Sequence, residues 1–427
     1  MASLPWLIRG SLAVSATLLF VSGAARAAED DWKKDAPGVR HTVTVSEIPK
    51  PYATKSARNP PSVVSAPEGA KPKVPDGFEV SLYASGFKQP RYLLVAPNDD
   101  LFVVESRLGE IRVLRDADGD GKPEINERFL NGLKQPFGIA FYPPGPEPTH
   151  LYIANTDGIV RVPYRKGDLH ATAKPEPVAP LSSGGRLTGG GHWTRDIAFS
   201  LDGTRLFASV GSKTNVDERH EAVENERARI FVMKPDGSEM RPYATGLRNA
   251  VGIAVHPASG ELWASVNERD GLGDDLVPDY ITRVKEGGFY GWPWYYLGNH
   301  PDPRHRDDPH PELAEKVIVP DVLVQAHSAS LNMVFYTGQA FPEAYHGDGF
   351  AAFHGSWNRD SRTGYKVVRV PLKEGKPQGY YEDFLTGFIL PDGDVWGRPV
   401  GLAVTNDGAL LVSEDGNNTI WKIRYRP

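Results

Sequence analysis

The sequence predicts an all-β protein, a six-bladed β-propeller, and two observations lead to this fold class. The 427 residues include 44 Gly, 37 Pro, 17 Tyr, 17 Phe and 9 Trp, a composition that favours short strands and turns over long helices. A unit of three apolar strands joined by turns recurs six times after residue 77. Such units cannot each bury an apolar face alone, but a radial arrangement lets them cover one another. The alternative, an ordinary β-sandwich, requires no repeat of this regularity.

The first 27 residues have the pattern of a secretory signal peptide. Arg9 provides a positive start, residues 11–21 are apolar but too short to span a bilayer, and Ala25-Arg26-Ala27 is a small-x-small cleavage site. We expect cleavage after Ala27, a periplasmic or secreted mature protein, and no stable membrane insertion afterwards. The alternative is an uncleaved membrane anchor.

Residues 28–73 are predicted to form a Pro-rich strap or tail, because they mix charge with proline and lack a sustained apolar period. The propeller domain is predicted to span residues 74–427. Residues 77–83 form one extra alternating strand before the first repeat, and we expect this strand to close the ring by joining the last blade.

The six repeats share a turn bearing Pro or Asn, an apolar strand, a second strand after a hairpin, and a third strand. They occupy residues 89–113, 135–162, 192–232, 248–284, 331–370 and 398–423.

Composition excludes several classes of function. A net charge of −6 without a compact Lys/Arg run argues against a nucleic-acid partner. The absence of Cys excludes disulfides, thiolate nucleophiles and Cys-ligated metals, so redox chemistry would need a bound cofactor. The sequence contains no dinucleotide or phosphate-binding glycine motif and no Gly-x-Ser-x-Gly motif. Residues 220–224 (His-Glu-Ala-Val-Glu) resemble half of a zinc-protease motif but lack its second histidine.

The segments that enter the innermost strands should converge on the propeller axis, and they carry polar and cationic side chains. These residues are Arg91, His192, Arg195, Arg248, Asn249, His327 and Arg398. So many positive groups in one concave mouth repel one another unless an anion is bound, which predicts an anionic ligand. The alternative is that they pair with nearby acids such as Asp196, Glu268 and Glu414.

Two segments near the axis carry candidate chemistry. His192 follows three glycines and could accept a hydroxyl proton, or it could fill a polar hole beside a simple turn. Arg248 and Asn249 could hold an oxygen-rich anion, and the Asp- and Gly-rich residues 267–275 could offer oxygens to calcium. The alternative for these residues is a solvated loop.

A separate acidic loop has the spacing of a calcium-binding loop. Asp116, Asp118, Asp120 and Glu127 occupy positions one, three, five and twelve, with Gly121 at position six. Since no flanking helices are evident, we expect a blade connection that binds calcium structurally rather than a calcium sensor.

Residues 190–195, 246–293 and 354–359 together resemble the glucose/sorbosone dehydrogenase family, and most closely its sorbosone-dehydrogenase-like branch. The resemblance covers most of residues 77–425. It implies a six-bladed propeller that oxidises a sugar or sugar aldehyde with pyrroloquinoline quinone (PQQ) and Ca²⁺, and that passes the electrons to an external acceptor.

The resemblance also implies roles for particular residues. His192 and Arg248 would be catalytic, with His192 as the base that takes the sugar hydroxyl proton, and Arg248 and Asn249 match the quinone-binding pair. Arg269 and Asp270 fall where backbone carbonyls bind the cofactor calcium. Basic residues that hold the cofactor carboxylates match Arg359 and Lys366; with the axial Arg91, Arg195 and Arg398 they complete the predicted cofactor set.

This chain departs from the soluble glucose enzymes of the family at two places. Arg269-Asp270 replaces a Gly-Pro pair, and Ser212 replaces an Asp that supports the catalytic histidine. Two other functions therefore stay open on the same fold, namely a calcium-dependent lactonase or other hydrolase and a non-catalytic binding propeller.

Overall fold

The computed structural model describes residues 1–2, 31–187 and 191–427. The predicted signal peptide falls almost entirely on residues 3–30, outside the described residues, as do Gly189 and Gly190 of the glycine run before His192. Within the described ranges, no helix is long and apolar enough to cross a membrane.

The protein is a six-bladed β-propeller, which confirms the predicted fold class. Each blade is an antiparallel sheet whose first strand lies nearest the axis. Blade 1 contains strands Pro90–Val95, Leu101–Glu105, Glu110–Arg115 and Ile125–Leu130. Blade 2 contains strands Ile139–Tyr142, His150–Asn155, Gly158–Pro163 and Glu176–Pro180. Blade 3 contains strands Ile197–Phe199, Leu206–Val210, Arg229–Met233 and Arg241–Thr245.

The second half of the ring has the same plan with two additions. Blade 4 contains strands Asn249–Val255, Leu262–Asn267, Tyr280–Arg283 and Val322–Leu323. Blade 5 contains strands Ser330–Phe335, Gly349–Phe353, Lys366–Val370 and Tyr381–Leu385, and Arg40–His41 extends its outer edge. Blade 6 contains strands Pro399–Val404, Leu410–Glu414 and Thr419–Tyr425. Its fourth strand is Phe78–Ser85, so the predicted ring closure is confirmed.

The repeat predicted from the sequence had three strands, whereas five of the blades have four strands and blade 5 has a fifth from Arg40–His41. The outermost strand was missed because it packs on one side only and shows little apolar alternation. Glu176–Pro180, for example, buries only Ala179 fully, while all five residues of the second strand Leu101–Glu105 are buried.

The remaining elements are short. The 3₁₀ helices are Asp31–Lys34, Val45–Glu47, Ala222–Glu226, Pro303–His305 and Glu343–Tyr345, and the one described α-helix is Pro311–Ala314. Two-residue hairpins pair Tyr295–Tyr296 with His300–Pro301 and Leu372–Lys373 with Lys376–Pro377.

An apolar plug lies on the axis between the blades. Tyr92, Val251, Leu331 and Val400 come from four different blades and belong to one buried cluster. Since Val251 and Leu331 also line the axial cavity, this plug forms the floor of that cavity. The innermost strands therefore fix the position of whatever side chains stand above the floor.

Residues 31–73, which we call the strap, run along the propeller surface and then over two loops beside the axis. The backbone N–H of Tyr52 donates to the carbonyl of Leu272 at 2.7 Å, and the N–H of Asn59 donates to the carbonyl of Trp357 at 2.7 Å. The hydroxyl of Thr54 accepts from the N–H of Asp274 at 2.8 Å. The strap thus forms hydrogen bonds with two loops beside the axial cavity, those that contain Leu272 and Trp357.

Candidate active site

A cavity of about 370 Å³ opens on the axis above the apolar plug. This volume lies in the usual range of small-molecule sites, roughly 300–1,000 Å³. Its wall is strongly polar. The ionisable lining residues are four arginines, three histidines and three acids, namely Arg91, Arg186, Arg248, Arg398, His192, His327, His354, Glu268, Asp270 and Asp279.

Arg248 is the most firmly held cation of the cavity. It precedes the innermost strand of blade 4 and is 5% exposed. Its guanidinium donates to the carbonyl of Asn215 at 2.9 Å, to the side-chain oxygen of Asn215 at 3.0 Å and to the carbonyl of Glu268 at 2.6 Å. The nearest carboxylate oxygen, on Asp270, is 3.6 Å away. Most of these partners are neutral, so the positive charge of Arg248 is only partly balanced.

A second group of basic side chains lies around Asp415, and in it burial and the charge of Arg398 lower the pKa of His354 to about 4, so that its ring is neutral near pH 7. Arg91 contacts one oxygen of this carboxylate at 2.5 Å and His354 Nε2 contacts the other at 2.7 Å. Although burial opposes ionisation, His354 and Arg91 hold the pKa of Asp415 far below its usual value. Arg398 donates from Nε to the carbonyl of His354 at 3.2 Å, and no described residue accepts from its two terminal nitrogens.

The cavity arginines do not pair with the acids that the sequence offered as an alternative. Asp196 accepts from the backbone N–H groups of Ile197 and Ile253, both at 2.8 Å. Glu414 accepts from backbone groups of its own turn, including Asn417 at 2.9 Å. Among the described residues, the acids that balance these arginines are Asp415 and, partly, Asp270. A surplus of positive charge faces the cavity, as expected for an anion site.

His192 is held so that one ring nitrogen stays available. Its Nδ1 lies 2.8 Å from the backbone carbonyl of Ser212, and because a carbonyl only accepts, Nδ1 carries the proton. Nε2 is then the basic nitrogen. Burial and the charge of Arg248 lower the pKa of His192 from 6.5 to about 3. The imidazole is therefore a neutral proton acceptor over the whole neutral range.

Gly211 makes this arrangement possible. A Cβ atom there would lie 2.1 Å from the side-chain oxygen of Asn249 and 2.9 Å from Cβ of His192, which only glycine avoids. The side-chain oxygen of Asn249 is buried, and no described residue donates to it. An unsatisfied buried acceptor beside a base indicates a ligand that supplies an N–H or O–H group.

The low pKa of His192 gives a testable prediction. In the cofactor-free protein, we expect the ¹⁵N and ¹³C chemical shifts of the His192 imidazole to stay constant between about pH 5 and pH 8, because the neutral form persists. Urea-unfolded protein supplies the reference, in which the same ring titrates near its ordinary pKa. A midpoint between pH 5 and pH 8 in the folded protein would contradict the burial argument.

Asp270 is the cavity carboxylate that ionises most readily. Its Oδ1 accepts from the amide of Asn358 at 2.6 Å and lies 3.6 Å from Nδ1 of His327. Although burial opposes ionisation, His327 and Arg248 hold the pKa of Asp270 at about 2. Asp270 therefore stays negative beside the partly balanced Arg248.

The other two acids of the cavity are deeper. Burial raises the pKa of Glu268 to about 8 and that of Asp279 to about 6. The carboxylate of Asp279 accepts from the N–H of Glu268 and from the N–H of Ala329, both at 2.8 Å. Glu268, Asp270 and Asp279 all line the cavity, but they are not among the clusters of the described residues whose ligand atoms lie close enough together to hold a metal ion.

Three arginine or lysine residues predicted to bind a cofactor lie outside the cavity wall. Arg195 is completely buried and donates to the backbone carbonyls of Ser182, His192 and Thr194. Arg359 lies behind the wall and pairs with Asp275 at 2.7 Å. These two side chains brace the loops that line the cavity instead of facing a ligand.

Lys366 is the third of these residues. Its ammonium lies 2.8 Å from both Asp35 and Asp383 and is almost completely buried at the edge of blade 5. Asp35 belongs to the strap, so Lys366 joins the strap to the propeller. Two neighbouring carboxylates balance a charge that would otherwise be costly to bury.

Only some of the predicted calcium ligands lie where the sequence analysis expected them. Asp270 lines the cavity, whereas the side chain of Arg269 turns away and lies 3.4 Å from Asp302. In the acidic loop, Asp116, Asp118 and Asp120 come together with Glu124. Glu127, the predicted fourth ligand, is wrong for this cluster, because it lies in strand Ile125–Leu130 and pairs with Val113.

Several residues that build the site were missed. Asn215 holds Arg248 with two acceptors and donates from its amide to the carbonyl of Asp270 at 2.9 Å. Asn358 fixes the carboxylate of Asp270, and the half-exposed Trp357 and the exposed Arg186 stand at the mouth. Of these residues, Trp357 and Asn358 carried a sequence signal, because both lie in residues 354–359, which resemble a family motif.

Comparison with known proteins gives one family and several relatives. The sequence model of the TrAA12-like family matches residues 72–280 and 304–426. A pyrroloquinoline quinone-dependent pyranose dehydrogenase from Coprinopsis cinerea is 26% identical over 432 aligned positions, which cover 84% of this chain. This chain spans about 56% of the length of that relative.

Two solved structures have the same fold. The holo form of the PQQ domain of the Coprinopsis cinerea pyranose dehydrogenase superimposes with a TM-score of 0.67 at 22% identity, covering 86% of this chain and 100% of that domain. A calcium structure of a Trichoderma reesei Carbohydrate-Active Enzymes Family AA12 protein gives a TM-score of 0.68 at 20% identity, covering 83% of this chain and 97% of that protein.

Proposed function

We propose that this chain, which belongs to the TrAA12-like family, is a PQQ- and Ca²⁺-dependent oxidoreductase that oxidises a sugar at the axial cavity. The observation that carries the proposal is the coincidence of an unbalanced cationic wall with a neutral, oriented base. The relatives support the cofactor, since the Coprinopsis relative is named for PQQ and a TrAA12 neighbour was solved with calcium.

The residues of the cavity fit such a cofactor. PQQ carries three carboxylates, and four arginines line a cavity whose own acids balance them only in part. Arg248, Arg398 and Arg91 would hold the carboxylate and quinone oxygens. The unsatisfied side-chain oxygen of Asn249 would accept from the cofactor or the substrate. Asp270, whose carboxylate stays ionised in the cavity, would supply an oxygen ligand to calcium.

The cofactor supplies an ortho-quinone that accepts two electrons from the sugar carbon. The chain supplies the base. Nε2 of His192 takes the proton of the sugar hydroxyl, while the Ser212 carbonyl keeps the imidazole in the required tautomer. The backbone carbonyl replaces the supporting Asp that the family resemblance led us to expect, so the base is oriented without a negative charge behind it.

Arg248 places positive charge where negative charge accumulates when the hydroxyl proton leaves. It lies close enough to His192 to lower the pKa of the imidazole, and Asn215 fixes its position from behind. Because these partners are in place before any ligand binds, little reorganisation is needed during the reaction. The half-exposed Trp357 at the mouth gives a sugar ring an apolar face to contact.

We further propose an aldose or sugar aldehyde as the substrate and a separate electron acceptor, and a periplasmic or secreted location after cleavage behind Ala27. The sequence pattern of residues 1–27 supports the location.

One reconstitution experiment tests the cofactor and the reaction class together. Purified protein is titrated with PQQ in the presence of Ca²⁺, and sugar-dependent reduction of a redox dye is then measured. We expect saturable binding of about one PQQ per chain and dye reduction that needs PQQ, Ca²⁺ and an aldose. Absence of PQQ binding would contradict the proposal. Lactone hydrolysis with Ca²⁺ alone would favour the hydrolase alternative instead.

A further inference from the structure

We propose that His305, His220 and Asp308 form a zinc-binding site on the outer side of the loops that support the axial cavity. Atoms of these three side chains that could act as ligands lie within 4.8 Å of one another. His220 belongs to the half zinc-protease motif at residues 220–224, and His305 lies in the 3₁₀ helix Pro303–His305. The second histidine missing from the sequence motif is thus supplied from 85 positions further along the chain.

His305 is prepared as a metal ligand. It is 5% exposed, and its Nε2 lies 2.7 Å from the backbone carbonyl of Val216. Since a carbonyl only accepts, Nε2 carries the proton and Nδ1 of the neutral ring holds a bare lone pair. Nδ1 is buried, and no described residue forms a hydrogen bond with it. A ring whose remote N–H is fixed by a carbonyl while the other nitrogen is free has the orientation found in metal-bound histidines.

The other two ligands face solvent. The side chains of His220 and Asp308 are 60% and 52% exposed, and His220 Nδ1 lies 3.9 Å from Asp308 Oδ2. Ligand atoms around tetrahedral zinc are about 3.3 Å apart, given bonds of about 2.0–2.2 Å. Small rotations of two exposed side chains toward the fixed His305 would therefore complete three bonds. A water molecule would take the fourth position.

The ligand types favour zinc over calcium. Two imidazole nitrogens and one carboxylate suit Zn²⁺ and neighbouring transition metals, whereas calcium requires six to eight oxygen donors. Glu224 of the same motif does not compete for the metal. Its carboxylate is turned inward and accepts from the N–H groups of Lys213 and Thr214.

The position of the site suggests what zinc would do. His220 and Val216 lie on the loop that contains Asn215, whose oxygens hold Arg248. Asp302, which caps the helix carrying His305, lies 3.4 Å from Arg269. A zinc ion would join these two segments directly behind the cavity wall. It would stabilise the support of Arg248 without contacting substrate.

Zinc titration of the full chain tests this site. Untagged protein is treated with a chelator, saturated with Ca²⁺, and titrated with ZnCl₂ by calorimetry while thermal unfolding is followed in parallel. We expect about one Zn²⁺ per chain and an increase in Tm. Cobalt in place of zinc should give the visible absorption bands of a tetrahedral ion.

Variants localise the binding. His220→Ala and Asp308→Asn change exposed side chains, and each should weaken zinc binding at least about tenfold and remove the Tm increase. His305→Gln should abolish binding, and circular dichroism checks its fold. His310→Ala is the matched control, because His310 Nε2 lies 3.7 Å from Asp308 but outside the cluster; its affinity should be unchanged. Lack of stoichiometric binding would overturn the proposal, and so would His220→Ala and Asp308→Asn variants that bind zinc as tightly as the unaltered protein.

Discussion

His192→Ala should lower kcat for sugar oxidation by about 10²–10⁴-fold, the usual contribution of a positioned general base. The PQQ affinity should change by less than about tenfold, because His192 offers the cavity a neutral nitrogen and no charge. Steady-state dye reduction with reconstituted protein gives kcat, and fluorescence titration gives the PQQ affinity. A loss of turnover with the cofactor still bound is what separates a base from a binding residue.

Ser212→Ala is the matched control for this experiment. The tautomer of His192 is set by the backbone carbonyl of Ser212 at 2.8 Å, while the hydroxyl is 3.1 Å away and itself donates to the carbonyl of Thr214. Removing the hydroxyl keeps the carbonyl, so the loss in kcat should stay below about tenfold. Unchanged turnover in His192→Ala would refute the role of the base and would favour a binding propeller.

Arg248→Ala should weaken PQQ binding by about 10²–10³-fold, which corresponds to about 3–4 kcal/mol. Two effects add. The cavity loses its most firmly held positive charge, and the buried carbonyl of Glu268 and carboxylate of Asp270 lose a partner at 2.6 Å and 3.6 Å. Equilibrium titration with PQQ in saturating Ca²⁺ measures the loss.

Two further variants show whether the loss of PQQ affinity in Arg248→Ala comes from the specific hydrogen bonds of this side chain or only from its charge. Arg248→Lys keeps the charge but cannot reproduce the fork of hydrogen bonds to Asn215 and Glu268, so an intermediate affinity is expected. Arg186→Ala removes an exposed arginine at the mouth and should cost less than about tenfold, since exposed charges are screened by solvent. Equal losses in Arg248→Ala and Arg186→Ala would mean that only general charge attracts the cofactor.

The fold was predictable because blade strands alternate regularly and turns separate them. Strands such as Leu410–Glu414 are buried throughout, so their apolar character is strong in the sequence. The outer strands were not predictable, because a strand such as Arg241–Thr245 keeps two of its five residues exposed. The strap was expected only as a tail or strap, since backbone hydrogen bonds to Leu272 and Trp357 leave no pattern in side chains.

The site was predictable only in part for a different reason. The prediction that residues entering the innermost strands face the axis was correct for Arg91, Arg248 and Arg398, which line the cavity. The same prediction included Arg195, but the side chain of Arg195 donates to backbone carbonyls instead of facing the cavity. A sequence does not reveal to which side of a turn a side chain points. Lys366 was also misplaced, since its partner Asp35 lies 331 residues away. Asn215 gave no sign because an isolated asparagine in a loop is common.

The ring is closed by antiparallel pairing of Phe78–Ser85, the first strand of the propeller, with Thr419–Tyr425, its last strand. Because Thr419–Tyr425 lies at the far end of the domain, one edge of Phe78–Ser85 stays unpaired during synthesis until nearly the whole domain has been made. Contacts of such sequence separation slow folding, and an open strand edge invites association with other chains.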